Sequence, residues 1–342
     1  MDKLARLPAP DRRDIFSEAA ARLGIRPTII EKDFWVCVAL KLLFQKSRFA
    51  KSLVLKGGTS LSKAHGLIER FSEDIDLVLD WTLIGFGDGL RNPMQDFASK
   101  SKQDQFNKKM NRLAAAYIAE TLCPELEDLL QGERTGLSAA VDSHDPHTVN
   151  IRYPAAFGEA YIRPEVRLEI GPLASWVPSA VHVIRPYAFD LLPDVFEDPA
   201  CEVVAIAAER SFWEKATILH QEAHRKTPIP QRYSRHYYDL YKLARSRVRQ
   251  SALADTKLLA DVIAFKQRFY PCAWARYDLA IPGSLKVLPA APSQLKDLAQ
   301  DYKDMQVMLF GTPPEFSEIL EELKTLEAEI HAMASRDEFG ST

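Results

Sequence analysis

The chain has 342 residues, of which 46% are hydrophobic and 27% charged, and its formal net charge is -3. This apolar share is enough to bury a core, so the composition excludes wholesale disorder, and 14 glycines are too few for a collagen-like or low-complexity protein. The net charge excludes a globally basic protein, so any contact with nucleic acid has to come from a local patch.

Cysteine usage and the N-terminal segment indicate the compartment. The cysteines, Cys37, Cys123, Cys201 and Cys272, lack CxxC pairing, which argues against a disulfide scaffold or zinc finger and is typical of a reducing environment. The first residues carry charges without a following apolar stretch, and no apolar run approaches the roughly 18 residues that a membrane span needs. We therefore expect a cytoplasmic protein without membrane contact.

The first part of the chain predicts helices around a short strand. Residues 11–45 predict two helices, with Thr28 as the N-cap of the second. An apolar run at 53–55 stops at two glycines, which indicates a buried strand and a tight turn. A further helix is predicted from Thr59 to Ile68.

The middle of the chain predicts two more strands. Residues 74–80 alternate at period two, and so do residues 166–170. Between them, residues 91–120 predict a helix with a basic start. Residues 131–148 are rich in Gly, Ser, His and Asp and predict a loop.

Prolines between 185 and 200 indicate a boundary between lobes. Beyond it the pattern predicts helices at 202–224, 235–247, 253–267, 293–308 and 315–333. The expected fold class is α/β (α+β), with a small mixed sheet flanked by helices in an N-terminal domain (1–200). A helical C-terminal domain (201–342) is expected to contribute active-site residues.

A pair of aspartates is the first chemical signal. In a strand, residues two apart share a face at about 6–7 Å, so Asp74 and Asp76 project together. Two adjacent carboxylates repel and raise one pKa unless a cation sits between them. Mg²⁺ prefers one or two carboxylates together with substrate phosphates. The pattern predicts a site for Mg²⁺ or Mn²⁺ on these two residues.

The glycine turn is the second signal, and it lies in the run Lys56, Gly57, Gly58, Thr59 and Ser60. Bare backbone amides at the start of a helix bind anions, and Ser60 adds a hydroxyl. Taken alone, the glycines could form a plain turn and the aspartates could lie on a solvated strand edge. Together, the two motifs predict a site for a nucleoside triphosphate with its metal. The spacing fits neither a P-loop nor a dinucleotide-binding GxGxxG.

Two further residues are open to two interpretations each. Glu169, flanked by apolar residues on the third strand, is a candidate third metal ligand or general base, or else pairs with Arg167. Lys215 lies on an apolar helical stripe. Its spacing alone favours snorkelling to solvent over a phosphate contact.

A basic segment between Arg225 and Arg249 contains eight Lys or Arg, one acid and four interleaved tyrosines. It predicts a footprint for polyphosphate or RNA, with the aromatic rings stacking on bases. The alternative is a solvated helix face with core tyrosines. A second basic stretch runs from Arg91 to Arg112, whereas residues 315–338 are strongly acidic.

Other chemistries find little support. His220 and His224 have zinc-ligand spacing, but Glu222 does not follow the first histidine directly, as a zincin requires. There is no GxSxG motif and no cysteine in a recognisable nucleophile context.

The residues 55–63 (LKGGTSLSK) and 70–77 (RFSEDIDL) resemble those of the AbiEii/AbiGii nucleotidyltransferase-like toxins, within the DNA polymerase β-like nucleotidyltransferase superfamily. The similarity extends to residues 31–36 (EKDFWV), 212–216 (FWEKA) and 234–240 (SRHYYDL). It implies the toxin half of an abortive-infection, toxin–antitoxin pair. The implied partner is an antitoxin that is a transcriptional regulator encoded nearby.

The resemblance also implies chemistry: an NTP and Mg²⁺ as requirements, and transfer of a nucleoside monophosphate to an acceptor, most plausibly the 3′ end of tRNA. It makes Lys215 and Asp239 active-site residues beside Asp74, Asp76 and, on the strand pattern alone, Glu169. Asp239 is expected to orient Lys215 or Arg235. Nucleotidylation of a protein hydroxyl and a non-catalytic NTP-binding toxin module are the alternatives.

Overall fold

The computed structural model describes residues 1–87, 93–158 and 163–339. The chain divides into two units. The first comprises Met1–His65 and Phe71–Ile206, and the second comprises Gly66–Arg70 and Ala207–Thr342. Within these described residues, no helix combines the length and apolar character that crossing a membrane requires.

One mixed sheet, with seven strands in the described part of the chain, lies in the first unit. The strands are β1 (Leu53–Lys56), β2 (Asp74–Leu79), β3 (Ser138–Val141), β4 (Thr148–Arg152), β5 (Glu165–Gly171), β6 (Ser179–Ile184) and β7 (Cys201–Ile206). Their order across the sheet is β3-β4-β5-β2-β1-β7-β6. The β2–β5 and β1–β7 pairs are parallel and the others antiparallel. Alternate residues such as Ile75 and Leu77 are fully buried in the core.

Helices of the first unit cover this sheet. They are α1 (Asp2–Ala5), α2 (Ala9–Leu23), α3 (Pro27–Lys41), α4 (Gly57–Thr59), α5 (Lys100–Tyr117) and α6 (Cys123–Glu133). Almost every residue of α3 is buried, and this helix packs against β5 and β7. The predicted N-cap at Thr28 is wrong, because α3 already begins at Pro27, whose fixed φ suits the first helical position.

The predicted α/β fold class is confirmed, and so are the three predicted strands. Four strands were missed, namely β3, β4, β6 and β7. Residues 201–206 were predicted as the start of a helix, but their valines and isoleucine favour a strand between β1 and β6. The predicted loop at 131–148 contains β3 and the start of β4.

Two helix boundaries also differ from the prediction. The helix after β1 begins at Gly57 and continues as a π-helical segment to Ala64, so it stops short of Ile68. The basic helix begins at Lys100 rather than 91. Residues 91 and 92 lie outside the described part of the chain.

The second unit is helical where it is described. Its helices are α7 (Ala208–Ala223), α8 (Ser234–Ala244), α9 (Val248–Ala254), α10 (Thr256–Phe269), α11 (Pro292–Met305) and α12 (Phe316–Phe339). α8 packs against both α7 and α12. The short segment Gly66–Arg70 belongs to this unit: Arg70 forms a β-bridge with Leu309, and Phe310 N donates to Glu69 O at 2.8 Å. This attachment places Arg70 among the C-terminal helices.

Candidate active site

Three adjoining strands place the predicted carboxylates in one row. Asp76 on β2 stands opposite Lys56 on β1 and opposite Glu169 on β5. Two residues earlier on the same pair of strands, Asp74 stands opposite Arg167. Residues opposite each other in a ladder share a face of the sheet. The two aspartates therefore lie on one side of the sheet, as their spacing predicted, and Glu169 lies on the same side.

Two cations lie among these carboxylates. Lys56 Nζ is 3.8 Å from Asp76 Oδ1, and Arg167 is 3.8 Å from both Asp74 Oδ1 and Glu169 Oε1. Arg167 is also 3.3 Å from Asp142 Oδ2. The expected alternative, a pairing of Glu169 with Arg167, is present, but Arg167 divides its charge among three carboxylates and does not neutralise Glu169 by itself.

The pKa shifts in the row show an excess of negative charge. Burial raises the pKa of Asp74, and the neighbouring Glu73 and Asp76 raise it further. Burial likewise raises the pKa of Glu169, with Asp76 and Asp74 adding to the shift. Lys32, whose Nζ is 3.0 Å from Glu73 Oε2, opposes the shift at Asp74 without cancelling it. A bound cation would relieve this repulsion.

The row suits a divalent cation by the chemistry of its donors. Asp74 and Asp76 offer only oxygen ligands, which Mg²⁺ and Mn²⁺ prefer, and their mutual repulsion favours an ion. Among the described residues, however, no three or more His, Cys, Asp or Glu side chains are grouped closely enough to hold a metal. The two aspartates therefore fit as a partial ligand set that phosphate oxygens would complete. A third-ligand role for Glu169 stays a prediction.

The glycine turn lies directly beside Asp76. Gly57 has a φ of +72°, and a Cβ at this position would overlap the Asp76 carboxylate. Both the left-handed backbone and the close approach therefore require glycine here. This contact joins the turn and the aspartate, which the sequence could relate only by their separation along the chain.

The two hydroxyl residues of the turn bond to the backbone. Thr59 and Ser60 are fully buried. Thr59 Oγ1 donates to Asp74 O at 2.5 Å, and Ser60 Oγ donates to Gly57 O at 3.0 Å. Thr59 thus fixes the start of β2 against the turn, and Ser60 closes the first turn of the helix. A phosphate contact of Ser60 or Lys56 stays a prediction.

Lys215 and Asp239 meet in the second unit. Lys215 Nζ is 2.8 Å from Asp239 Oδ2, and Lys215 is only 8% exposed, so the snorkelling interpretation is wrong. Asp239 is fully buried. Burial by itself would raise the pKa of Asp239, but Arg70 and Lys215 hold it well below its usual range. Burial lowers the pKa of Lys215, and Asp239 opposes that effect.

Sequence reasoning missed two members of this cluster. Arg70 Nε and Nη2 donate to the two carboxylate oxygens of Asp239 at 2.6 and 2.9 Å. His236 Nδ1 lies 3.1 Å from Lys215 Nζ. Of the two expected partners of Asp239, Lys215 and Arg235, the structure shows Lys215, and Arg70 is a second cation that was not expected. The interval of 169 positions between Arg70 and Asp239 left no local signal, whereas the three-residue spacing of His236 and Asp239 on one helix could have indicated His236.

Half of the cations of the basic segment form ion pairs within the second unit. Four of its cations pair with acids of the same unit: Arg225 with Glu222, Lys242 with Glu69, Arg245 with Glu318, and Arg249 with Glu322 and Glu329. Several of these acids come from the acidic stretch at 315–338. The opposite charges noted in the sequence therefore serve in part to attach α12 to the C-terminal end of α8 and to α9. Lys226 and Arg247 remain exposed.

The tyrosines of this segment are mostly core residues. Tyr237, Tyr238 and Tyr241 are 0%, 2% and 5% exposed, so these rings do not stack on bases and that interpretation is wrong for them. The zinc interpretation also finds no support, because both ring nitrogens of His220 are occupied. Its Nε2 bonds Arg276 O at 2.9 Å, and its Nδ1 accepts from Lys286 N at 3.0 Å.

Comparison with known proteins assigns the chain to a family. The family profile described as "Nucleotidyl transferase AbiEii toxin, Type IV TA system" matches residues 41–322. Among solved structures, MenT4, a nucleotidyltransferase toxin from Mycobacterium tuberculosis H37Rv, is 19% identical with a TM-score of 0.46, over 93% of this chain and 98% of that one. No curated protein matches the chain.

Because the profile covers most of the sequence, the chain belongs to the AbiEii family of nucleotidyltransferase toxins of type IV toxin–antitoxin systems. The predicted enzyme class is thereby confirmed. Membership in the family also implies an NTP substrate and an antitoxin partner.

Proposed function

We propose that this toxin transfers a nucleoside monophosphate from an NTP to the 3′ end of tRNA, with Mg²⁺ or Mn²⁺ on Asp74 and Asp76. The observation that carries the proposal is the close approach of Gly57 to Asp76, which places the glycine turn beside the two aspartates, of which Asp74 has a pKa raised by burial and by its acidic neighbours. When bound, the metal supplies Lewis-acid polarisation of the α-phosphate. We also propose that the antitoxin is a transcriptional regulator encoded nearby and that the toxin acts in the cytoplasm.

The protein residues have distinct roles in the proposed step. The acceptor oxygen bonds to the α-phosphorus, the bond to the bridging β-phosphate oxygen breaks, and pyrophosphate leaves with the electron pair. Glu169 takes the proton of the acceptor hydroxyl, because its raised pKa brings it closer to that of an efficient base at neutral pH. The Gly57 and Gly58 amides bind the phosphates that leave. Lys215, in the second unit, is proposed as a further phosphate ligand.

The test uses label transfer. Purified protein is incubated with each α-³²P-labelled NTP and total tRNA, and the products are separated on a denaturing gel. Asp74→Asn and Asp76→Asn should leave no labelled product and should relieve growth inhibition. Glu165→Gln is the matched control, because Glu165 shares the strand and face of Glu169 but lies outside the row. Full label transfer and full toxicity in both aspartate variants would overturn the proposal.

A protein hydroxyl is the second candidate acceptor. It gains weight because three tyrosines of the basic segment are buried and half of that segment's cations are paired. Lysate labelled with α-³²P-NTP separates the two acceptors: the label is sensitive to RNase if the acceptor is RNA, and to protease if it is protein. Pyrophosphate release, measured in the same reactions, separates both from a non-catalytic NTP-binding module.

A further inference from the structure

A cluster of four side chains in the second unit holds more positive than negative charge. Its one carboxylate, Asp239, is shared by two cations, Arg70 and Lys215, and His236 is the fourth member. Arg235 adds a further positive charge near Lys215 and His236. Excess buried charge of one sign is costly unless a counter-ion binds. The cluster is therefore suited to hold an anion.

The geometry at Lys215 leaves one donor for that anion. An ammonium group has three N–H donors. Asp239 Oδ2 and His236 Nδ1 take two of them, at 2.8 and 3.1 Å, and Lys215 makes no other hydrogen bond or ion pair within the described residues. Two fixed acceptors orient the group, so the direction of the third N–H is fixed as well.

We propose that His236 and Arg70 are positioning residues, which together aim the third N–H of Lys215 at a phosphate oxygen of the nucleotide. The inference rests on the proposed function for the identity of the anion. Neither residue has to touch the substrate to have this effect.

His236 accomplishes this as a neutral ring. To accept from Lys215, its Nδ1 must be free of a proton, so the tautomer carries the proton on Nε2. Burial lowers the pKa of His236 well below its ordinary value, and Lys215 and Arg235 lower it further while Asp239 opposes them. The acceptor is therefore present throughout the neutral range.

Arg70 acts through Asp239. Its planar guanidinium bonds both carboxylate oxygens and so fixes the plane of the carboxylate, which a lysine cannot do with a single ammonium. Arg70 also takes up part of the negative charge of Asp239. Less of that charge is then left to neutralise Lys215, whose positive charge stays available to a ligand.

The decisive experiment measures anion binding apart from catalysis. Inorganic tripolyphosphate is titrated into the full-length protein by calorimetry without added metal. His236→Leu removes the acceptor, and the dissociation constant should rise about 10- to 100-fold, as for loss of a hydrogen bond to a charged group. His236→Asn, whose amide oxygen replaces Nδ1, should stay within about threefold of wild type. Arg70→Lys should weaken binding about tenfold.

Controls separate positioning from folding and from the proposed function. His224→Leu, a change of the histidine that follows α7 as its C-cap and lies outside the cluster, should bind tripolyphosphate as wild type does. Thermal unfolding identifies any variant that fails to fold. In label-transfer assays, His236→Leu should raise KM for the NTP, and His236→Asn should restore it.

Two outcomes would overturn the inference: wild-type protein that binds no tripolyphosphate, or a folded His236→Leu protein that binds it as tightly as wild type. If the binding pattern is as expected but wild-type protein transfers no label to any acceptor, the proposed function fails instead.

Discussion

Replacing Gly57 by alanine should abolish transfer without unfolding the protein. Alanine at a φ of +72° costs about 1–2 kcal/mol. The new Cβ would also occupy the position of the Asp76 carboxylate, which has to move away. A displacement of about 1 Å at a reacting group costs on the order of 100-fold in rate. We therefore expect Gly57→Ala to lose at least about 100-fold in kcat.

Gly24 provides the matched control. It follows α2 with a φ of +66°, and a Cβ there would meet nothing within 4 Å. Gly24→Ala should therefore lose a similar amount of stability through its backbone conformation, seen as a fall in Tm of about 2–8 °C, and should keep its activity. The assays are thermal unfolding and transfer of α-³²P-NTP label. If Gly57→Ala were as active as Gly24→Ala, the contact between the turn and Asp76 would have no part in catalysis.

Three further changes test other parts of the molecule. Glu169→Gln should lower kcat about 10²- to 10⁴-fold if Glu169 is the base, whereas an unchanged kcat in single-turnover assays would exclude that role. Arg249→Gln should cost about 1 kcal/mol in denaturant unfolding, because its partners Glu322 and Glu329 lose their cation, but should leave the salt dependence of tRNA binding unchanged. Burial lowers the pKa of His220 to about 4, below the unfolded value of about 6.5, so its contribution to stability is present above pH 6.5 and is lost as the pH falls toward 4. Guanidinium unfolding from neutral to mildly acidic pH should show this loss in wild type and a smaller one in His220→Asn.

The strand of the two aspartates and the glycine turn could be predicted from the sequence because their signals are local. Alternation over 74–80 specifies which face each aspartate occupies, and two adjacent glycines specify a turn. The register between strands that are far apart in the sequence has no local sequence signal. The pairing of Asp76 with Glu169 spans most of the unit and is set by packing of the whole sheet.

The errors in the second unit have a related cause. A charged or aromatic residue in a helix looks the same in sequence whether it faces solvent or an oppositely charged neighbour. Arg249 and Tyr237 were interpreted as part of an RNA-binding surface. In the structure, Arg249 pairs with Glu322 on α12, and Tyr237 is buried in the core. Likewise Arg70 reaches Asp239 only because residues 66–70 join the helical unit.

Each unit has an unbalanced charge of its own. In the first unit, repulsion from neighbouring carboxylates adds to burial in raising the pKa of Asp74 and Glu169, although the cations Lys32, Lys56 and Arg167 lie nearby. In the second, Asp239 alone faces Arg70 and Lys215. Equal numbers of opposite charges would make the folded state more stable, since an unpaired buried charge lowers stability. Under the proposed function a divalent cation would offset the first imbalance, and under the further inference an anion would offset the second. We infer that each imbalance is retained for its own ligand, at a cost in stability that binding offsets.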